Sequence, residues 1–431
     1  MDLRVAAAAA RLAEVTSLFE PRFPVGRAAV ALMLVLLVGA AGCRQSGFPD
    51  APAGYREFAY VSNGGANTVS VLDLVYLRPD RTLPVGLQPS GMAVNPVRDE
   101  VYVVNTGSGT VSVIDANRNA VVATVGVHKQ PYAISVDAAG RRAYVANSGS
   151  NSVSVIDLAN RREIAVAGTG EQPGEAKIAP DGRSLVVTNY GSGSVSVFGV
   201  DAETEASQAD RRTRRGAAPS PLHLRAAFPG CPGATDAVIL PDSSKAFVAC
   251  SGGHQVMAIN LAAAPDSWAA KQNPSLMTDH LLALLDVGKT PMHLALKPDG
   301  GEIFCSNFGS DSVSEISTWT NEVGGTYTIG KGPVHGVVSG DNSTLWVSNF
   351  GANSLSLYSI DDGKVVASLV SGSGPDALAF SADEHLLLAA DAHSGDVSVI
   401  RTQAKTGPAL LTILPAGAKP NAIVVKAIPA K

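Results

Sequence analysis

Tyr102-Val103-Val104-Asn105, Tyr144-Val145-Ala146-Asn147 and Val186-Val187-Thr188-Asn189 are consecutive copies of one tetrapeptide, each beginning 42 residues after the last. Tyr60-Val61-Ser62-Asn63 precedes them at the same interval, and Phe304-Cys305-Ser306-Asn307, Trp346-Val347-Ser348-Asn349 and Leu388-Ala389-Ala390-Asp391 repeat it. Phe247-Val248-Ala249-Cys250 is the eighth copy, and only the steps into Phe247 and Phe304 are longer. A fixed period of this size means stacked or radial units, because one unit cannot bury its own apolar face.

Within each unit the pattern is β. A Gly/Ser/Asn turn follows the tetrapeptide, then an alternating run such as Ser152-Val153-Ser154-Val155-Ile156-Asp157, apolar on one face and hydroxyl on the other. A third extended run follows, as at Val121 to Val127, and then a Pro-led fourth, Pro131-Tyr132-Ala133-Ile134-Ser135-Val136. Four short antiparallel strands in about 42 residues is the size of one propeller blade.

These residues and this period resemble the YVTN-repeat β-propeller family over about Tyr55 to Lys431. The resemblance implies an all-β fold, a β-propeller of about eight four-stranded blades, with the Pro-led strand innermost in each blade and lining the axis. The C-terminal run Pro420-Asn421-Ala422-Ile423-Val424-Val425 has no tetrapeptide after it, so it is expected to pair with the strand at Tyr60. Joining the N- and C-terminal strands in this way closes the ring and leaves no open sheet edge. Seven blades is the alternative count, since Cys250 replaces Asn in the fifth unit. Propellers of this kind include binding scaffolds, surface proteins and relatives of lactonases and of haem or quinone enzymes, and the resemblance transfers no catalytic residue to this chain.

Residues 1–42 read as an export signal. Ala28 to Ala41 is apolar but short for a membrane span, Arg22 and Arg27 precede it, and Ala40-Ala41-Gly42-Cys43 resembles a bacterial lipobox. That resemblance implies lipidation of Cys43 as the first residue after cleavage, although Ala40 stands where Leu is usual. A plain secretory signal or an uncleaved anchor is the alternative. Residues 43–54 then form a polar tether and 55–431 a single propeller domain. The expected location is the bacterial cell envelope, periplasmic or outer-membrane associated, with the lipid as the membrane contact. Residues 43–431 carry 29 basic and 35 acidic side chains, a balance that gives no reason to expect nucleic acid. A monomer is expected.

Three cysteines remain beyond Cys43. Cys231 precedes the innermost strand of the fifth unit and Cys250 ends the neighbouring strand, so a disulfide is expected in an oxidising compartment, with two free thiols as the alternative. Cys305 sits in an apolar strand and reads as core filler. The two long steps are insertions at 201–220 and 262–280, equivalent places in adjacent blades. The first carries Arg211, Arg212, Arg214 and Arg215, which reads as a solvated loop or as a grip for an acidic partner or lipid headgroups; the second carries Trp268, Pro274, Leu276 and Met277.

The chemical signal comes from aligning the units two residues after the start of each innermost strand. That position holds Gly91, Ala133, Glu175, Asp236, His293, His335, Ala377 and Ala422, so two acids and two imidazoles follow one another through four blades. Two His and two carboxylates suit Zn²⁺, Mn²⁺ or Fe²⁺, and the same set can run acid–base chemistry. They can equally be polar channel lining, with Lys177 beside Glu175 on the same strand face. No Gly-x-Ser-x-Gly elbow, Cys-x-x-Cys-His or His-Glu-x-x-His occurs. The recurrent Asn at the tetrapeptide end reads as structural, bonding turn backbone. On sequence alone the favoured function is a non-enzymatic envelope scaffold binding protein, glycan or a small ligand on one face. The alternative is a metal-dependent lactonase-like hydrolase or oxidoreductase with its site at the channel mouth.

Overall fold

A computed structural model of the chain describes residues 51–201, 220–403 and 407–429. Residues 40–43, which resemble a lipobox, and the Arg211 to Arg215 run lie outside the described residues. Ala51–Lys431 is one compact unit, and its described residues form eight four-stranded antiparallel sheets. The innermost strands pack against one another in sequence around an axis, which makes a β-propeller. Strand β1 (Arg56–Asn63) pairs with the last strand, β32 (Pro420–Ile428), with Tyr60 opposite Val424. Eight blades are present, the fifth included, and the ring is closed by the two ends of the chain. Blades are numbered below by their tetrapeptides.

The tetrapeptide strands, and the alternating runs that follow them, bury both faces. In the second blade Val101 and Val103 pack with Val69 and Val71 of the first, while Tyr102 and Val104 pack with Ala143 and Val145 of the third. The strand is thus shared between two inter-blade cores, so aromatic and β-branched residues fill it without alternation. The hydroxyl face is buried too, with Ser112, Ser154 and Ser196 inside.

The reason is the recurrent asparagine. Asn105 Nδ2 donates to Thr110 Oγ1 and Ser112 Oγ, both at 3.0 Å, and its Oδ1 accepts the Gly86 N–H at 3.1 Å. Asn189 repeats the set with Ser194 and Ser196, and accepts from Gly170 N–H at 3.1 Å. One side chain therefore ties the third strand and the connector that feeds the innermost strand to the end of the second. Its partners are strand hydroxyls and the connector, where turn backbone was expected. The connector passes so close that a Cβ on Gly86 would meet Asn105 Cγ at 2.6 Å, and one on Gly170 would meet Asn189 Cγ at 2.7 Å. Glycine is required there by approach distance.

Two blades rewrite this clasp. In the fifth, the glycine and asparagine positions hold Cys231 and Cys250, which form a disulfide with Cα atoms 4.8 Å apart. A covalent bond replaces the hydrogen bond at the same place in the blade. In the eighth, Asp391 replaces Asn, and Asp396 sits where the six asparagine blades offer a hydroxyl. Ser398 Oγ donates to Asp391 Oδ2 at 2.7 Å. Burial first, and then Asp396, push the Asp391 carboxyl up to about 7. Protonated, Asp391 imitates the asparagine by having a hydrogen to donate.

All innermost strands start on one face of the propeller, here called the upper face, and the chain enters at Arg56 on the lower. The second insertion emerges on the lower face, with helix α1 (Trp268–Gln272) and a 3-10 turn (Pro274–Met277). Arg225 of the fourth blade anchors its end through paired 2.8 Å bonds to Asp279.

The eighth clasp makes stability pH-dependent. The Asp391 carboxyl binds its proton more tightly folded than unfolded, so its stabilisation is complete below about pH 4 and is lost as pH rises through about 7. Asp391→Asn is expected to raise the melting midpoint at pH 8 by about 2–4 °C and leave it little changed at pH 5, as followed by circular dichroism. An equal shift at both pH values would contradict the clasp reading.

Candidate site at the channel mouth

The upper end of each innermost strand carries a bulge. Pro291 faces Asn307 and His293 faces Ser306, so the intervening residue has no partner, and the other seven innermost strands shift register near the same place. A bulge bends the strand and frees backbone N–H groups from the ladder. Those groups must find other acceptors because they are shielded from water. Hydroxyls near the end of the second strand take some of them: Thr188 Oγ1 accepts from Glu175 N–H at 2.8 Å and Ser348 Oγ from His335 N–H at 3.1 Å.

The aligned acids and imidazoles take others. Asp236 accepts its neighbour Ala237 N–H at 2.8 Å on Oδ1 and the Leu294 N–H of the next blade at 2.9 Å on Oδ2. His293 Nδ1 accepts the Gly336 N–H of the blade after that, at 3.3 Å. With Nδ1 accepting, the neutral ring carries its proton on Nε2, which lies 3.7 Å from Asp236 Oδ2. The His335 ring stacks on His293 with centroids 3.7 Å apart. Among the described residues, no protein group hydrogen-bonds a ring nitrogen of His335, and the side chain is only part-buried. Glu175 instead pairs with Lys177, 3.7 Å away on its own strand.

The structure therefore brings Asp236, His293 and His335 into one chain of contacts and leaves Glu175 in a separate ion pair. Among the described residues no group of three or more His, Cys, Asp or Glu is placed to hold a metal ion. Asp236 accepts one backbone N–H on each oxygen, His293 accepts one on Nδ1, and the two rings stack on each other.

The electrostatics follow from enclosure. Burial, reinforced by the Lys177 ammonium, pushes His293 down to about 3. Burial and the neighbouring His293 hold His335 well below the usual imidazole range, so both rings are uncharged at neutral pH. The Glu175 carboxyl is pushed up by burial and only partly relieved by Lys177, whose own ammonium is stabilised by Glu175. Asp376, one residue into the innermost strand of the eighth blade, is pushed up to about 6 by burial. Burial raises the Tyr132 phenol, with Glu175 and Asp376 adding to the shift. Tyr132 and Asp376 both occupy the residue just before the aligned one, in the third and eighth blades. Asp376 stands out in the sequence as the acid that opens the next blade after His335, and reading the same position round the ring finds Tyr132 as well.

Cys305 is buried, and burial pushes its thiol far up; Sγ lies 3.6 Å from Asn307 Oδ1, so it is core filler.

Residues 121–229 and 331–425 match the family described as the lactonases, seven-bladed beta-propeller. The matched stretches hold Glu175, Lys177, His335 and Asp376; Asp236 and His293 lie between them. No curated protein matches the sequence. Among solved structures, dihydro-heme d1 dehydrogenase NirN in complex with DHE is similar, with TM-score 0.66 and 16% identity over 89% of this chain and 78% of its own. A putative 6-phosphogluconolactonase from Bacteroides uniformis gives TM-score 0.56 and 16% identity over 87% of this chain and 100% of its own. The chain is a β-propeller. At these identities the likeness extends to the fold.

Protein purified without chelators is expected to carry well under one equivalent of Zn, Mn or Fe by mass spectrometry. A stoichiometric metal lost in Glu175→Ala/His293→Ala would contradict the contact chain described above.

Proposed function

We propose that this protein is a lactonase-like hydrolase of the cell envelope, acting on a small ring ester at the upper mouth of the propeller channel. The observation that carries the proposal is His335: an uncharged imidazole at the mouth, with no protein hydrogen-bond partner among the described residues, stacked on a second imidazole whose Nε2 lies 3.7 Å from Asp236. The partial match to lactonases supports it and shifts the reading from the scaffold that the sequence alone favoured. The metal-dependent version finds no ligand set among the described residues, so the chemistry is assigned to side chains.

Hydrolysis needs a base for the attacking water, a counter-charge for the oxyanion and an acid for the departing ring oxygen. His335 can take the proton of a water that adds to the ester carbonyl. Asp236, close enough to favour the charged ring, offsets the imidazolium that forms. Lys177 supplies a fixed positive charge in the same enclosed space, where charges act more strongly than in bulk water. Asp376 in its acid form can protonate the ring oxygen as the C–O bond breaks, leaving a hydroxy acid. Lipidation of Cys43 would hold this site in the envelope.

The base form of His335 is present throughout the neutral range, whereas the acid form of Asp376 is lost as pH rises through about 6. Turnover of a panel of five- and six-membered lactones, followed in a pH-stat, is expected to fall as pH rises above about 6. His335→Ala is expected to lose about 10²-fold in kcat with the fold retained by circular dichroism. Equal rates for wild type and His335→Ala would reject the assignment. Saturable binding without turnover would reassign the mouth as a receptor site.

A further inference from the structure

Two of the three tryptophans lie on the lower face and stand out from it. Trp268, in α1 of the fifth blade, is 77% exposed and Trp319, in the turn between the third and fourth strands of the sixth, is 84% exposed. Tyr76, in the equivalent turn of the first blade, is 67% exposed. No aromatic residue described on the upper face exceeds the 56% of Tyr132. Trp346, by contrast, is 2% exposed in the core.

The segments that present them are held in place. Lys245 Nζ of the fifth blade donates to Thr318 O at 2.6 Å and Asn321 Oδ1 at 3.1 Å, which fastens the Trp319 turn to the blade carrying Trp268. Ala270 of α1 is buried, and the Asn273 side chain accepts the Ser275 N–H at 3.2 Å in the turn that follows. Trp268 and Trp319 stand on adjacent blades, whereas the Tyr76 ring has the Arg78 guanidinium 4.9 Å from its centroid; apolar rings grouped on one face mark an interaction surface where single ones do not.

The chain itself points to the cover. It enters the propeller at Arg56 on this same face, and Cys43 lies eight residues before Ala51. Eight residues reach at most about 30 Å even when fully extended, so a lipid borne by Cys43 would be tethered within that reach of Ala51. Tryptophan and tyrosine are the side chains that settle at the headgroup level, with the ring in the apolar boundary and the polar atom wet. Charged turn residues on this face are partly neutralised by local pairs such as Arg78–Asp73 and Lys364–Asp362.

We propose that the lower face seats on the lipid surface through Trp268, Trp319 and Tyr76, which holds the His335 mouth on the opposite face turned towards the aqueous space. The proposal rests on the lipid-anchor reading for its geometry but not for its test. An anchor on a short tether leaves the propeller free to tumble; seating by these aromatics fixes which end of the channel meets solute.

The test uses the full chain reconstituted into phosphatidylcholine/phosphatidylglycerol vesicles containing lipids brominated near the headgroup. Three versions each keep a single tryptophan, at position 268, 319 or 346, with the others changed to Phe. Emission from Trp268 and from Trp319 is expected to fall about twofold relative to unbrominated vesicles, and that of the buried Trp346 to stay unchanged. Mass measurement of the N-terminal peptide shows separately whether Cys43 bears lipid. Quenching of both surface tryptophans with Cys43 unmodified supports the seating and rejects the anchor. Lipid on Cys43 with no quenching at either tryptophan overturns the seating and leaves the anchor standing.

Discussion

The asparagine clasp is the interaction on which the rest of this molecule depends. A propeller blade has to hold its innermost strand at a fixed height on the axis, yet that strand is fed by a connector arriving from the rim of the previous blade. In the second blade Asn105 fastens that connector by accepting from Gly86 and fastens the third strand through Thr110 and Ser112. Every partner is short and polar, and every bond is shielded, so each is costly to leave unmade. The strand half of the clasp recurs in six blades, each asparagine Nδ2 donating to two hydroxyls of the third strand, while the connector half is made by Asn105 and Asn189. Every innermost strand begins opposite the residue that ends the tetrapeptide, with a proline in seven blades and Ala234 in the fifth, which is why residues aligned in the sequence meet at one mouth.

The exceptions support the same account. Where the fifth blade lacks both glycine and asparagine, a disulfide spans the same two positions. Where the eighth has aspartate, a raised carboxyl pKa lets the side chain keep a proton to donate. Three chemistries serve one geometric demand, and that demand outranks the identity of the residue. At the mouth the order of dependence reverses: the bulge exposes N–H groups, Asp236 and His293 satisfy them, and the resulting enclosure strips His293 and His335 of charge.

The period of 42 residues made the blades, their number and the ring closure legible, because a repeat in register reports topology directly. The alignment of Glu175, Asp236, His293 and His335 was legible for the same reason. Their arrangement was not. Strand periodicity says which face a side chain takes but not which backbone N–H groups a bulge releases. The sequence therefore could not show that Asp236 commits both oxygens to backbone and that Glu175 turns to Lys177. The alternation showed that one strand face carries hydroxyls but not that this face is buried, where the hydroxyls serve as the clasp's partners.

The enclosed, uncharged imidazole pair is the central claim, and ring ¹⁵N and ¹³C shifts of isotope-labelled histidine test it most directly. Between pH 7 and pH 5, His293 is predicted to stay neutral with its proton on Nε2, and His335 to stay neutral beside it. A protonation midpoint near the ordinary value of about 6.5 for either ring would contradict the account, because it would place that ring in open solvent and outside the network.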